Sequence, residues 1–295
     1  MSIETRGLRN RALAIVVRIL VSLLASIGCA QAGERLLATG GVTQIEGVAG
    51  GGLAPWALIA GYGTRDQIGA SAFFTHLNSD DFRLDTAGVA VGIFDRIELS
   101  YARQTFDLGS TVPGEDIAQD IFGAKLKVAG DAIFAQDTWL PQIAVGIQHK
   151  RNRDFDFVPR LLGAKRGHGT DFYIAATKLT IGGLAGRNVL LNGTVRASKA
   201  NQLGLLRFGG DKKDRYAPQF EGSIAMFLED NLAVGAEYRS KPDNLGAFKE
   251  DDFKDVFIAW LPHKYIALTF AYVDLGNIAD KPDQKGPYIS LQVSY

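Results

Sequence analysis

Four histidines, His76, His149, His168 and His263, are the side chains best suited to ligate a metal or move a proton near neutral pH. None stands at a metal-ligand spacing from another histidine or from a cysteine. Ser71, Ser100, Ser198 and Ser290 could serve a nucleophilic reaction, but no G-x-S-x-G elbow surrounds them and no serine shares a short motif with a histidine. The glycines at 47, 50, 51 and 52 lack the Lys-Ser/Thr of a phosphate-cradling loop, and no helical pattern follows them. The sequence therefore assigns no catalytic residue, no cofactor and no metal. The enzyme class left to test is a membrane lipase with a Ser/His pair on its rim.

The remaining charges are organised differently. Arg96, Glu98, Lys125, Lys127, Arg196, Glu221, Glu237, Arg239 and Asp255 alternate with apolar residues at a spacing of two, so each shares a strand face with small and polar neighbours. The last segment shows the pattern most clearly. Ile289, Leu291, Val293 and Tyr295 fall on one face, and Ser290, Gln292 and Ser294 on the other. From about residue 56 the chain breaks into segments of the length of a tilted membrane strand, separated by Gly, Asp, Asn, Lys and Pro.

A soluble sandwich alternates too, so the connections decide. Short turns near 64–67, 95–96, 183–188, 229–231 and 262–264, with a longer one at 130–140, alternate with long loops at 78–83, 108–118, 150–169, 199–216, 240–254 and 276–286. That parity is how an antiparallel transmembrane β-barrel is built, with short periplasmic turns and long outer loops. Thirteen segments follow Trp56, and closed barrels favour even numbers, so residues 37–46 are expected to add a fourteenth strand; the alternative is twelve, with 56–63 not spanning. The charged face then lines the lumen, and Tyr101, Tyr238, Trp260, Tyr272 and Tyr295 form an aromatic girdle outside.

Residues 1–32 read as an export signal: basic Arg6, Arg9 and Arg11, an apolar stretch broken by Arg18, and the exit Ala30-Gln31-Ala32. Its removal takes away Cys29, the only cysteine, and leaves 28 basic and 31 acidic residues, a balance that gives no reason to expect nucleic acid as a partner. Residues 33–55 are expected to be a first strand or a lumen plug, and 56–295 the barrel.

The stretch LLATGGVTQIEGVAGGGLAPWALIAGYGT, residues 36–64, resembles the opening of a proteobacterial family of exported proteins catalogued as a domain of unknown function. The resemblance implies export and an outer-membrane location, with no site residues to carry over. The ending Ile289, Leu291, Val293, Tyr295 is similar to the C-terminal signal read by the barrel-assembly machinery.

These readings converge on a Gram-negative outer-membrane barrel that is not an enzyme. The leading expectation is a passive channel or porin for small solutes, anions among them, since Arg151, Arg153, Lys165 and Arg166 cluster in one outer loop. The alternative is a closed barrel whose loops bind a partner or play a structural role. Expected contacts are outer-membrane lipids, lipopolysaccharide and the assembly machinery.

Overall fold

The computed structural model of the chain describes residues 33–153 and 157–295; the export signal expected over 1–32 lies outside them. No helix among the described residues is long and apolar enough to cross a membrane, and the wall is made of strands. After a small ladder of β1 (Val42–Thr43) and β2 (Ala49–Gly50) come twelve strands: β3 (Ile68–Asn78), β4 (Arg83–Ile93), β5 (Ile97–Asp107), β6 (Asp116–Ala129), β7 (Gln142–Asn152), β8 (His168–Leu184), β9 (Arg187–Ser198), β10 (Ala217–Glu229), β11 (Leu232–Arg239), β12 (Phe253–His263), β13 (Ile266–Asp274) and β14 (Lys285–Ser294). All pair antiparallel with their neighbours, and β14 closes on β3 from Tyr288↔Leu77 to Ser294↔Ser71, so the sheet has no edge.

Twelve strands, not fourteen, form the barrel. The difference lies in residues 39–62, which are buried throughout and run inside the barrel instead of joining its wall. The stretch from Trp56 to Gly63 has the composition of a strand but joins no ladder of the wall; Ala57 N donates to the Thr177 hydroxyl and Ala60 N to the Glu98 carboxylate, both in the lumen.

Period-two alternation explains the wall. On β14, Ser290, Gln292 and Ser294 are buried inward, while Ile289 is 46% exposed on the outside. The same parity turns Phe220, Val256 and Ile174 outward at 56–61% exposure, along with Phe172, Leu191, Ile258 and Phe270. Each such side chain loses about 1.5–3 kcal/mol when held in water instead of an apolar surround. A continuous belt of them is stable only against lipid.

Hairpin turns follow the expected chemistry. Between β4 and β5, Phe94 and Asp95 both have positive φ, 56° and 48°, the paired left-handed conformation whose twist suits a two-residue hairpin. Ala185 and Gly186 repeat it between β8 and β9, at 49° and 74°. The other six connections lie at the opposite end of the barrel, and three of them, 199–216, 240–252 and 275–284, meet over the mouth. There Lys241 Nζ donates to Leu275 and Asn277 carbonyls at 2.9 and 3.0 Å and pairs with Glu250 at 3.1 Å, and Gln202 Nε2 donates to Glu250 and to the Asn277 carbonyl. Burial pulls the Lys241 amine down and pushes the Glu250 carboxyl up, and each is opposed by the other's charge. Three loops are clasped by this one cluster.

Wall and inner segment approach closely at Gly92, where a Cβ would lie 2.1 Å from the Ala60 carbonyl oxygen and 2.9 Å from Ile59 Cγ2. The opposing atom is backbone and cannot swing aside. Gly92→Ala is expected to destabilise the folded barrel by about 1–3 kcal/mol, the usual cost of overpacking. A lowered temperature for loss of the fast-migrating folded band on a gel checks this; an unchanged midpoint counts against the close packing.

Candidate functional site

Charged side chains converge inside the lumen. Its contents begin with an accounting problem: residues 39–62 form little regular structure, yet their backbone is buried, and each buried N–H or C=O without a partner is costly. The barrel wall supplies the partners. Glu98 accepts from the backbone N–H groups of Ala49 at 3.1 Å and Ala60 at 2.9 Å. Lys125 Nζ donates to the carbonyls of Ala49 and Leu58, both at 2.9 Å, and pairs with Glu98 at 3.2 Å. Gln142 donates to Ala57 O, Gln104 to Ile45 O and Thr194 to Pro55 O, while Ala57 N donates to Thr177. Trp56 Nε1 donates to Ser223 Oγ at 2.9 Å.

Toward the loop ends of the strands a balanced ionic belt grips the segment through one residue. Glu46, fully buried, pairs with Lys150, with Arg239 NH1 at 2.7 Å and with Arg196 NH2 at 3.7 Å. Lys150 also reaches Asp171 at 2.6 Å, and Arg196 is paired with Glu221 and, at 3.5 Å, with Asp171. Three bases thus meet three acids. Separated from this belt, Glu237 accepts from Leu53 N at 2.6 Å and from Ser223 Oγ, and stands opposite Asp255 across β11 and β12. A Cβ at Gly51 would sit 2.0 Å from Glu237 Oε1, so a larger residue there would push the Glu237 carboxylate aside.

The belt lies between two apolar layers. On the turn side Val42, Trp56 and Leu58 pack with Leu190, Phe257 and Leu261; on the loop side Ile45 and Leu53 pack with Leu77, Leu84, Phe106 and Phe253. The segment is a plug, sealed by apolar contacts at both ends and pinned by charge in the middle.

Of the residues expected to line the lumen, the structure places Glu98, Lys125, Arg196, Glu221, Glu237, Arg239 and Asp255 there, all buried. Two do not join them. Arg96 is exposed in the β4–β5 turn, and Lys127 sits at the rim with Asp95 at 2.8 Å. Both have inward parity but stand beyond the end of the enclosed wall. No motif in the sequence singles out Glu46, Lys150 or Asp171; the charged run from Lys150 reads as loop, whereas β7 extends to Asn152 and carries Lys150 inward.

The basic cluster is divided. Arg153 pairs with Asp120, which Arg103 also approaches at 3.7 Å, on the outer face near the loop end; Arg151 is the register partner of Asp120 on that face. Arg166 makes two hydrogen bonds to Asp214, at 2.5 and 2.9 Å, and Lys165 lies 3.9 Å from the same carboxylate. Arg166, directly bonded, holds the Asp214 carboxyl below its ordinary range. The residues expected to signal assembly, Ile289, Leu291, Val293 and Tyr295, share the outward parity of the closing strand, with Ile289 and Tyr295 exposed and Val293 buried, and Tyr295 is bonded through its backbone to Ala70 of β3.

Strand parity also separates the groups a lipase would need. Ser71, Ser100, Ser198 and Ser290 point into the lumen, whereas His76 and His149 point out, bonded to Asp85 and Thr170. No Ser/His pair can form between those faces.

The sequence matches the family described as protein of unknown function (DUF3034) over residues 39–292, which takes in the plug and the whole barrel wall up to the last strand. The chain belongs to that family. The DUF3034 match begins at the first buried residue of the plug, so plug and wall are one unit of the family. Among solved structures the DUF3034 chain is similar to the KdgM porin, with a TM-score of 0.50 and 11% identity over 76% of this chain and 99% of that one. The NanC porin gives 0.46 and 10% over 77% and 98%, and an outer membrane channel from Pseudomonas putida F1 gives 0.43 and 9% over 82% and 96%. At such identities the likeness to the KdgM porin shows the fold, a porin-type outer-membrane barrel. No curated protein matches the chain.

Proposed function

We propose that the chain is an outer-membrane channel for small solutes, held shut by its own residues 39–62. The observation that carries this reading is the way the plug is held. It contributes one charged side chain, Glu46, and the rest of its hold is apolar packing and neutral side-chain and backbone hydrogen bonds, so it can leave without stranding further charges of its own. A barrel needed only as a rigid scaffold would be filled more simply by its own wall side chains, as smaller barrels are.

In this reading the short turns, Gly33 and Tyr295 face the periplasm, and the connections at the opposite end face outward. The outward Arg103, Arg151 and Arg153 then lie at the level of the outer-leaflet headgroups, where lipopolysaccharide phosphates offer them counter-charge. The anion preference expected from the loop cluster is weakened by pairing, since Arg153, Lys165 and Arg166 already neighbour Asp120 and Asp214. Without Glu46 the lumen holds Lys125, Lys150, Arg196 and Arg239 against Glu98, Asp171, Glu221, Glu237 and Asp255, which favours no anion.

Planar-bilayer recording tests the proposal. The full chain is expected to stay closed at low voltage with rare openings, and the chain lacking residues 39–62 to give steady open steps of at least tenfold greater mean current. A deletion chain that migrates as a folded barrel and still does not conduct would show a closed structural barrel.

A further inference from the structure

A lumen wall in such barrels is ordinarily polar. At the periplasmic end of this one, the inward positions Leu179 and Ile181 of β8, Leu190 of β9 and Phe227 of β10 are apolar, and they face Leu36 and Leu58 of the N-terminal segment across a cavity of about 320 Å³. Leu58, Leu190 and the wall deepen into the sealed apolar layer, whereas Leu36 and Ile181 are 59% and 61% exposed at the entrance. The cavity is therefore closed toward the plug and open toward the periplasm. Its counterpart under the outer loops has only about 30 Å³ and is packed shut.

From this geometry we infer that the vestibule binds an uncharged, largely hydrocarbon molecule of about ten heavy atoms, taking for each the roughly 30 Å³ that a water molecule, with its single heavy atom, occupies in the liquid. Water gains little there. The polar lining groups are few: the Thr39 hydroxyl donates to Leu36 O, and Asn188 Oδ1 accepts from Gly182 N. Each methylene moved from water into such a lining contributes about 0.8 kcal/mol, enough to hold a medium-length chain. The rim determines the head. Asp230 is the one charged side chain lining the cavity, so an anionic head such as a carboxylate is repelled while a hydroxyl is accepted. Binding at the vestibule stands apart from gating; only the passage of this ligand class through the barrel rests on the channel reading.

The test uses the full chain in lipid nanodiscs and a photoreactive diazirine analogue of 1-decanol, with adducts mapped by peptide mass spectrometry. Saturable adducts are expected on peptides carrying Leu36–Thr39, Leu179–Leu190 and Phe227, suppressed at least tenfold by excess 1-decanol. The decanoate analogue should label these peptides at least fivefold less, and Asp230→Asn should narrow that gap. Leu190→Trp, which fills the cavity, should cut labelling at least fivefold; Ile181→Trp at the exposed rim serves if the first variant does not fold. Adducts confined to lipid-facing residues such as Phe172 and Ile174 would overturn the inference. So would vestibule labelling that a phospholipid analogue reproduces and decanol does not displace, since the occupant would then be a membrane acyl chain. The bilayer currents of the plug-deleted chain bear on gating alone, so failure there leaves these outcomes interpretable.

Discussion

Glu46→Ala is expected to unlatch the plug while leaving the barrel wall folded. Glu46 is the only charged residue between Thr39 and Tyr62, and its carboxylate meets Lys150, Arg196 and Arg239 in a site closed to water. With it, three bases face Glu46, Asp171 and Glu221; without it, one positive charge is buried unpaired. Breaking a buried ion pair by removing one partner typically costs about 3–5 kcal/mol, more than most single contacts in a fold. The wall can escape that cost by admitting water and counter-ions, and the plug must move for that to happen. Glu46→Ala should therefore raise the open probability of single channels by at least tenfold and lower the temperature at which plug residues lose protection from hydrogen exchange. The double variant Glu46→Ala with Arg239→Leu restores the charge balance and should recover part of the loss, a coupling that distinguishes electrostatic latching from simple cavity formation. If the single variant stays closed with unchanged protection, the ionic belt does not hold the plug.

How much of this was legible in the sequence follows from the range of the interactions. The wall strands were readable because inward and outward residues alternate within one strand, and the hairpins because loop length alternates along the chain. Both signals are local. The plug has no such signal: ALIAGYG has the composition of a strand, and what keeps it out of the wall is Glu98, Lys125, Gln142 and Thr177, tens of residues to more than a hundred away in the chain. Lys150 was read as loop because Lys-Arg-Asn-Arg-Asp is strongly charged, but parity carries Lys150 inward to Asp171 and Arg151 outward. Arg96 and Lys127 illustrate the converse, since parity gives the face but not the height at which the barrel ends. One clue to the latch was available. A lone acid in a run of 24 otherwise uncharged residues, 39–62, is the residue a buried segment would keep only for a partner.

Deleting Tyr295 is expected to impair barrel closure more than its single residue suggests. Tyr295 and Ala70 exchange two backbone hydrogen bonds, at 2.7 and 2.9 Å, extending the β14–β3 seam by one pair beyond Ser294↔Ser71. The Tyr295 carbonyl also accepts from Tyr62 N at 3.2 Å, tying the exit of the plug to the same point. Each bond contributes only about 1 kcal/mol when water is the alternative. In the membrane, water is not the alternative, and an unpaired Ala70 N–H at the seam where β14 closes on β3 leaves an open edge. The deletion is thus expected to reduce folded barrel at least severalfold both in cells and in refolding from detergent, and to loosen the plug near Tyr62. Tyr295→Phe keeps ring and backbone and should behave as the parent. Tyr295→Asp keeps the backbone bonds but removes the outward ring, completing a series that separates two causes. If the machinery that inserts barrels reads the outward pattern Ile289, Leu291, Val293 and Tyr295, this variant fails in cells yet refolds normally in detergent, while the deletion fails in both. Normal refolding of the deletion chain, with a folded band as heat-stable as the parent's, would show that the terminal pair contributes nothing to closure.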